Sequence, residues 1–153
     1  MKLKYDFTVD LATGHSRTSK KWRNRHWQWS ELLERCQETR RTDETAAEYA
    51  RMTREEQSNV KDVGGFVGGY LANGVRKNNN VLYRSVATLD IDYGTLNVWD
   101  DFTMAFGFAA MLYSTHKHSD DHPRYRLVFP LSRQVKPAEY EPLCRKIAAE
   151  LGI

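Results

Sequence analysis

Residues Asn80 to Tyr93, NVLYRSVATLDIDY, alternate with a period of two. Val81, Tyr83, Ala87, Leu89 and Ile91 share one face, and Leu82, Arg84, Val86, Thr88, Asp90 and Asp92 share the other. The pattern predicts a long, mostly buried strand with two carboxylates on one side of its tip. Leu3 to Leu11 alternates more loosely, through Leu3, Tyr5, Phe7 and Val9, and predicts an opening strand closed by a turn at Ala12-Thr13-Gly14. Arg124 to Leu131 predicts another, with Tyr125, Leu127 and Phe129 opposite Arg124, Arg126 and Val128. A shorter run, Ala109 to Thr115, predicts a strand ending at Ser114-Thr115-His116. Four segments have helical character: Ser30 to Thr39, with Ser30 as N-cap; Thr45 to Gln57, with Tyr49 and Met52 three apart on its inner face; Val98 to Phe108; and a helix opened by Pro137, with Tyr140, Leu143, Ile147 and Leu151 along its apolar side. The order is strand, helices, strand, helix, strand, strand, helix, with no repeat, low-complexity tract or linker.

Two neighbouring carboxylates at the end of an apolar strand repel each other and resist burial, so a cation between them is expected. Oxygen-only ligation by Asp90 and Asp92 suits a hard divalent ion, Mg²⁺ or Mn²⁺, with water and phosphate oxygens completing its shell. The alternative is a solvated Asp-x-Asp where the strand meets a turn at Gly94.

The 153 residues, 41% hydrophobic and 28% charged, bound the answer to one soluble domain with its own core. No apolar run reaches membrane-spanning length, and MKLKYDF lacks the core of a signal peptide, so a cytoplasmic protein is expected. Cys36 and Cys144 each fall in a predicted helix and read as reduced thiols. Charge is uneven: residues 1–41 hold ten Lys or Arg against five acids, and the remainder thirteen against fifteen. Within the basic part, SKKWRNRHWQWS interleaves Lys21, Arg23 and Arg25 with Trp22, Trp27 and Trp29, a composition that can stack on unpaired bases or can pack the segment onto the domain. DVGGFVGGYLANG, residues 62–74, has five glycines but neither a P-loop nor a dinucleotide fingerprint; Arg76 and Lys77 follow as candidate phosphate or template contacts.

If the predicted strands are neighbours, Asp90 and Asp92, Ser114 and His116, and Arg124 and Arg126 converge at their ends. Carboxylates would hold the ions that bridge phosphates, and Arg or His would neutralise phosphate charge. Asp90-Ile91-Asp92 and Ser114-Thr115-His116, with GGFVGGYLANGVRKNNNVLYRS, YSTHKHSDDHPRYRLVFPLSR and EYEPLCRKIAAELGI, resemble the archaeo-eukaryotic primase (primase-polymerase) superfamily, in its phage, plasmid and mobile-element branch. The resemblance covers nearly the whole chain. It implies an α/β fold in which an RRM-like catalytic palm is joined to an N-terminal α/β unit, with a mixed sheet flanked by helices. It also implies that Asp90 and Asp92 are catalytic metal ligands for Mg²⁺ or Mn²⁺, and that Ser114 and His116 bind a nucleoside triphosphate. Arg126 joins the nucleotide site on strand geometry. The implied activity is template-directed DNA primase/polymerase nucleotidyl transfer on single-stranded DNA, within a replication protein carrying a helicase module. The family's third acidic residue lies in a strand after the helix that ends here at Leu151, so 1–153 is expected to be a single primase-polymerase domain cut before that residue.

Two other functions fit the residues less fully. A rolling-circle nuclease of the HUH type needs a bulky apolar residue between two histidines, whereas Lys117 stands between His116 and His118; its candidate tyrosine is Tyr140. A non-catalytic single-stranded nucleic-acid-binding module would rest on Lys20 to Trp29. Zinc held by His116, His118, Asp120 and His122 has loose spacing and no cysteine, which favours a solvated loop.

Overall fold

The first strand lies further along the chain than its alternation predicts. In the computed structural model, which describes residues 1–153, β1 spans Thr8–Gly14. Val9 and Leu11 face one apolar cluster and Ala12 a second, so burial on both sides carries the strand through the expected turn. The tryptophan-rich segment is also a strand: β2 (Arg23–Gln28) pairs antiparallel with β1, Asp10 opposite His26. Trp22 and Trp29 are buried and the Arg35 guanidinium covers Trp27 at 4.1 Å, so packing accounts for all three rings.

Helix α1 (Trp29–Gln37) begins two residues earlier than predicted, because Gln28 and not Ser30 is its cap and Glu31 Oε2 accepts the Gln28 N–H at 2.9 Å. Ser30 instead donates its N–H and hydroxyl to Asp6, tying the N-terminal segment to the helix. The helix predicted over Thr45–Gln57 is two, α2 (Ala46–Arg51) and α3 (Arg54–Val60). Thr45 with Glu48 and Thr53 with Glu56 form successive capping boxes, and the second starts a new helix where the first would have continued.

The glycine-rich segment supplies two short strands, β3 (Gly65–Val67) and β4 (Gly69–Leu71), one to each sheet. Then come β5 (Val81–Ile91), α4 (Val98–Ala105), β6 (Met111–Ser114), β7 (Tyr125–Val135) and α5 (Pro137–Leu151). The small sheet has the order β2-β1-β3 and the large one β4-β5-β7-β6.

The α/β class is as expected, but every strand pairing is antiparallel where one mixed sheet was expected. The reason is positional. β5 and β6 run parallel to each other, as a strand-helix-strand unit requires, yet β7 lies between them and pairs with both. The succession β5-α4-β6-β7-α5 thereby forms a split βαβ arrangement.

Both faces of the large sheet are covered. On one, Ala87, Ile91, Leu127 and Phe129 meet Val98 and Phe102 of α4 and Ile147 of α5. On the other, Val86 and Val128 meet Val9 and Leu11 of β1 and Trp29 and Leu32 of α1. Double-sided burial explains why Val86 interrupts the polar face of β5. β4 pairs with only the first part of β5, at Val81, Tyr83 and Arg84. Further along, the Tyr140 hydroxyl stands in for a strand and accepts the Thr88 N–H at 3.1 Å. Tyr140→Phe is expected to cost about 1 kcal/mol by denaturant unfolding and to speed hydrogen exchange at Thr88, because a part-buried donor loses its acceptor. No helix is long and apolar enough to cross a membrane.

Candidate functional site

Strand register assembles the site. Asp90 of β5 lies opposite Arg126 of β7, and Arg126 lies opposite Tyr113 of β6. The three side chains form a row across the large sheet, on the face that carries Val86 and Val128 and is turned toward α1. Arg126 Nε donates to Asp90 Oδ1 at 2.5 Å, and Arg124 Nη1 donates to Asp92 Oδ1 at 2.8 Å. The paired carboxylates therefore find their cations within the chain, as two guanidiniums on the neighbouring strand. Both aspartate side chains are more than 60% exposed, whereas those of Arg124 and Arg126 are 30% and 39% exposed. Ion pairs so open to water contribute about 0–1 kcal/mol each, too little for stability to be the reason for the arrangement.

Tyr113, at the end of the row, and Cys36 both pack against the apolar cluster beneath it. Burial raises the Tyr113 hydroxyl pKa against the opposing pull of Arg126. Burial likewise pushes the Cys36 thiol up to about 11, again with Arg126 acting in the other direction. Iodoacetamide at pH 8 is expected to alkylate Cys36 roughly 100-fold more slowly than an unhindered thiol of ordinary pKa, measurable by mass spectrometry, because so little thiolate is present.

The other candidates are distributed unevenly. Ser114 lies opposite Tyr125, which lies opposite Ile91, so its position is on the α4/α5 face, across the sheet from Asp90. A shared face for Ser114 and His116 presumes a strand through residue 116, and β6 ends at Ser114. His116 turns away and packs on Tyr49 of α2, ring centroids 4.4 Å apart, with Nε2 3.4 Å from Thr42 Oγ1. Register thus brings together Asp90, Asp92 and Arg126, adds Arg124 and Tyr113, and leaves Ser114 outside the row. Nothing in the sequence distinguishes Tyr113 from its motif-bearing neighbour Ser114; only the β6–β7 register shows which of the two meets Arg126.

His118 is occupied in shaping the loop, its Nδ1 accepting the Arg124 N–H at 3.1 Å and its ring 4.9 Å from that of Tyr125. No group of three or more His, Cys, Asp or Glu residues is arranged to hold a metal ion, so the protein offers no complete cage for zinc or magnesium. Two carboxylates are a partial donor set, which a hard ion such as Mg²⁺ could use only with its remaining ligands supplied from outside the protein. Tyr140, the tyrosine a nuclease would require, has its ring under the Arg84 guanidinium and its hydroxyl on Thr88, and burial raises its pKa.

The basic candidates form a second group. The Trp22 backbone N–H donates to Gly74 O at 2.7 Å and Arg76 lies over the Trp22 ring at 5.0 Å. The chain segments that carry Lys21 and Arg23 and that carry Arg76 and Lys77 thereby meet at Trp22, although some fifty residues separate them in sequence. Arg25 is half-buried, with Nε 3.5 Å from Thr13 Oγ1. Trp22 packs with Leu71 and Val81, at the opposite end of β5 from Asp90. Eleven residues of strand place this basic cluster about 30 Å from the aspartates.

No curated protein and no solved structure matches the chain. The family model described as the VapE N-terminal domain matches residues 1–153, the whole of it. A chain matched over its full length, with the mobile-element association that its motifs had suggested, belongs to the VapE N-terminal domain family.

Proposed function

We propose that this domain is the nucleotidyltransferase palm of a mobile-element replication protein, a primase/polymerase that joins nucleotides to a 3′-hydroxyl under the direction of a single-stranded DNA template. The observation that supports this most directly is the row of Asp90, Arg126 and Tyr113, extended by Asp92 and Arg124 and open to water at its aspartates, on a sheet covered on both faces. Such a row offers carboxylate oxygens and guanidinium donors side by side, which is what a triphosphate with its counter-ion requires. When bound, Mg²⁺ or Mn²⁺ would neutralise charge on the entering and leaving oxygens of an in-line displacement. In this reading Asp90 and Asp92 hold the ion and Arg126 and Arg124 hold phosphate oxygens, while His116 would have to swing back from Tyr49 and Thr42 to reach the nucleotide. Ser114, on the opposite face of the sheet, stands outside this set.

The free part of β5 beyond Val86 also agrees with this reading. A further strand of the polypeptide pairing there would supply the third carboxylate that the resemblance implies, in place of the Tyr140 hydroxyl. Lys21, Arg23, Arg76 and Lys77, gathered by Trp22, would hold the template backbone, and a helicase module would accompany the domain in the intact protein. The same cluster favours a second reading, a single-stranded nucleic-acid-binding module without chemistry. Titration with a nucleoside triphosphate, with and without Mn²⁺, together with incorporation of a labelled nucleotide on primed single-stranded DNA, separates the two. Metal-dependent binding and incorporation support the palm; DNA binding indifferent to metal, with neither of these, leaves the binding module.

A further inference from the structure

Asp90, Asp92, Arg124 and Arg126 make a square with opposite charges facing across the strands, two carboxylates spaced by two residues on β5 and its extension and two guanidiniums spaced by two on the adjoining strand. The square is neutral as a whole. Each aspartate uses Oδ1 for its arginine, leaving Oδ2 without a partner, and each guanidinium is partly packed against the sheet. A divalent cation approaching alone meets no net negative charge and has a guanidinium in contact with each carboxylate it would use. A polyphosphate approaching alone meets the converse. When both arrive, the two internal pairs exchange for two carboxylate–metal and two guanidinium–phosphate contacts, and every charge keeps a partner of opposite sign.

We infer that the four residues act as a latch that couples the two ligands: the divalent ion and the polyphosphate each bind weakly by themselves and bind tightly together, with Arg124 and Arg126 changing partner from aspartate to phosphate. The inference rests on the palm reading and specifies how that site is filled. It adds to the phosphate contact of Arg124 a second state, in which the same guanidinium is held by Asp92. The latch also keeps the site closed to free metal, so that the ion enters with its nucleotide and is not held beforehand.

The test is calorimetry of Mn²⁺ with inorganic tripolyphosphate, the heat of their complexation in solution being measured separately and subtracted. Saturating tripolyphosphate is expected to tighten Mn²⁺ binding about 10- to 100-fold, and saturating Mn²⁺ to tighten tripolyphosphate by the same factor, as linkage demands. Arg124→Gln is expected to bind Mn²⁺ alone several-fold more tightly than the native domain, because Asp92 is released, and to bind tripolyphosphate more weakly. Arg124 is an exposed-end residue of an open ion pair, so the variant should fold; its unfolding midpoint checks this. In parallel, the Arg126 Nε–H resonance is followed in the native domain with Mg²⁺: it should stay put with either ligand alone and shift with both. Independent binding of both ligands to the native domain, or weaker Mn²⁺ binding by Arg124→Gln, overturns the latch and leaves the palm standing. Failure of either ligand to bind under any combination overturns both.

Discussion

Replacing Asp90 and Asp92 together by asparagine is expected to abolish the metal dependence of nucleoside triphosphate binding while leaving the fold in place. The fold should survive because the two side chains are largely solvent-exposed and their ion pairs with Arg126 and Arg124 are worth about 0–1 kcal/mol each. Asparagine keeps the shape and an acceptor oxygen for each guanidinium, so neither arginine is stranded. The charge of the square, however, changes from zero to two positive. A triphosphate without metal should bind at least as well as before, whereas the Mn²⁺-dependent increment disappears, a loss of about 100-fold or more in affinity for the metal-bound form. Any nucleotide incorporation should fall by roughly 10³-fold or more, since the ion contributes several kcal/mol of charge stabilisation in the transition state. Calorimetry with and without Mn²⁺ reads the first effect and primer extension the second. If native and variant domains bind alike in Mn²⁺, the Asp-x-Asp is a surface feature of the sheet and the palm assignment fails.

Most of that row was legible in the sequence, because it lies where periodicity is strongest. The two-residue repeat of β5 predicted that Asp90 and Asp92 share a face, and the repeat of β7 predicted the same for Arg124 and Arg126. What alternation cannot supply is register between strands. Asp90 faces Arg126, and Arg126 faces Tyr113, only because the β5–β7 and β6–β7 pairings fall as they do. A shift of one residue would have put Ser114 in the row, as its motif suggested. The separation of the chain into two sheets was hidden for a related reason. Gly65–Val67 and Gly69–Leu71 read as one glycine-rich stretch, and nothing local marks Gly68 as the point where the chain passes from β1 to β5. Helix limits failed where capping competed with apolar spacing: the Thr53–Glu56 box ended a helix that Tyr49 and Met52 had seemed to extend. The basic cluster was visible as two separate runs, and only the Trp22–Gly74 contact joined them, far from the carboxylates instead of beside them.

That crossing point makes Gly68→Ala a severely damaging substitution. Gly68 is buried, and its carbonyl accepts both the Ser85 and the Val86 N–H at 3.1 Å, so the two backbones touch. A Cβ at position 68 would lie 2.2 Å from Val86 O and 3.0 Å from Val86 C, a collision with main chain and not with a side chain that could rotate away. β5 cannot yield easily there. The Ser85 hydroxyl donates to Asp10 O at 2.5 Å and accepts the Asp10 N–H at 2.8 Å, pinning β5 to β1 across the two sheets. Relieving the clash therefore requires parting the sheets at Val86, within the cluster formed by Val9, Leu11, Trp29, Leu32 and Val128. We expect a loss of about 3 kcal/mol or more, a large share of a domain's usual 5–15 kcal/mol, seen as a sharply lowered denaturation midpoint or as insoluble protein. Gly65→Ala, three residues earlier in the same segment, is the control: nothing lies within 4 Å of its Cβ position and its backbone is not in the left-handed region. It should be neutral, or more stable by up to about 1 kcal/mol through reduced freedom of the unfolded chain. If both variants unfold alike, the segment is intolerant of any side chain and the contact at Val86 is not the cause. If only Gly68→Ala fails, the seam between the sheets is what holds β5 in register, and with it the carboxylates at its end.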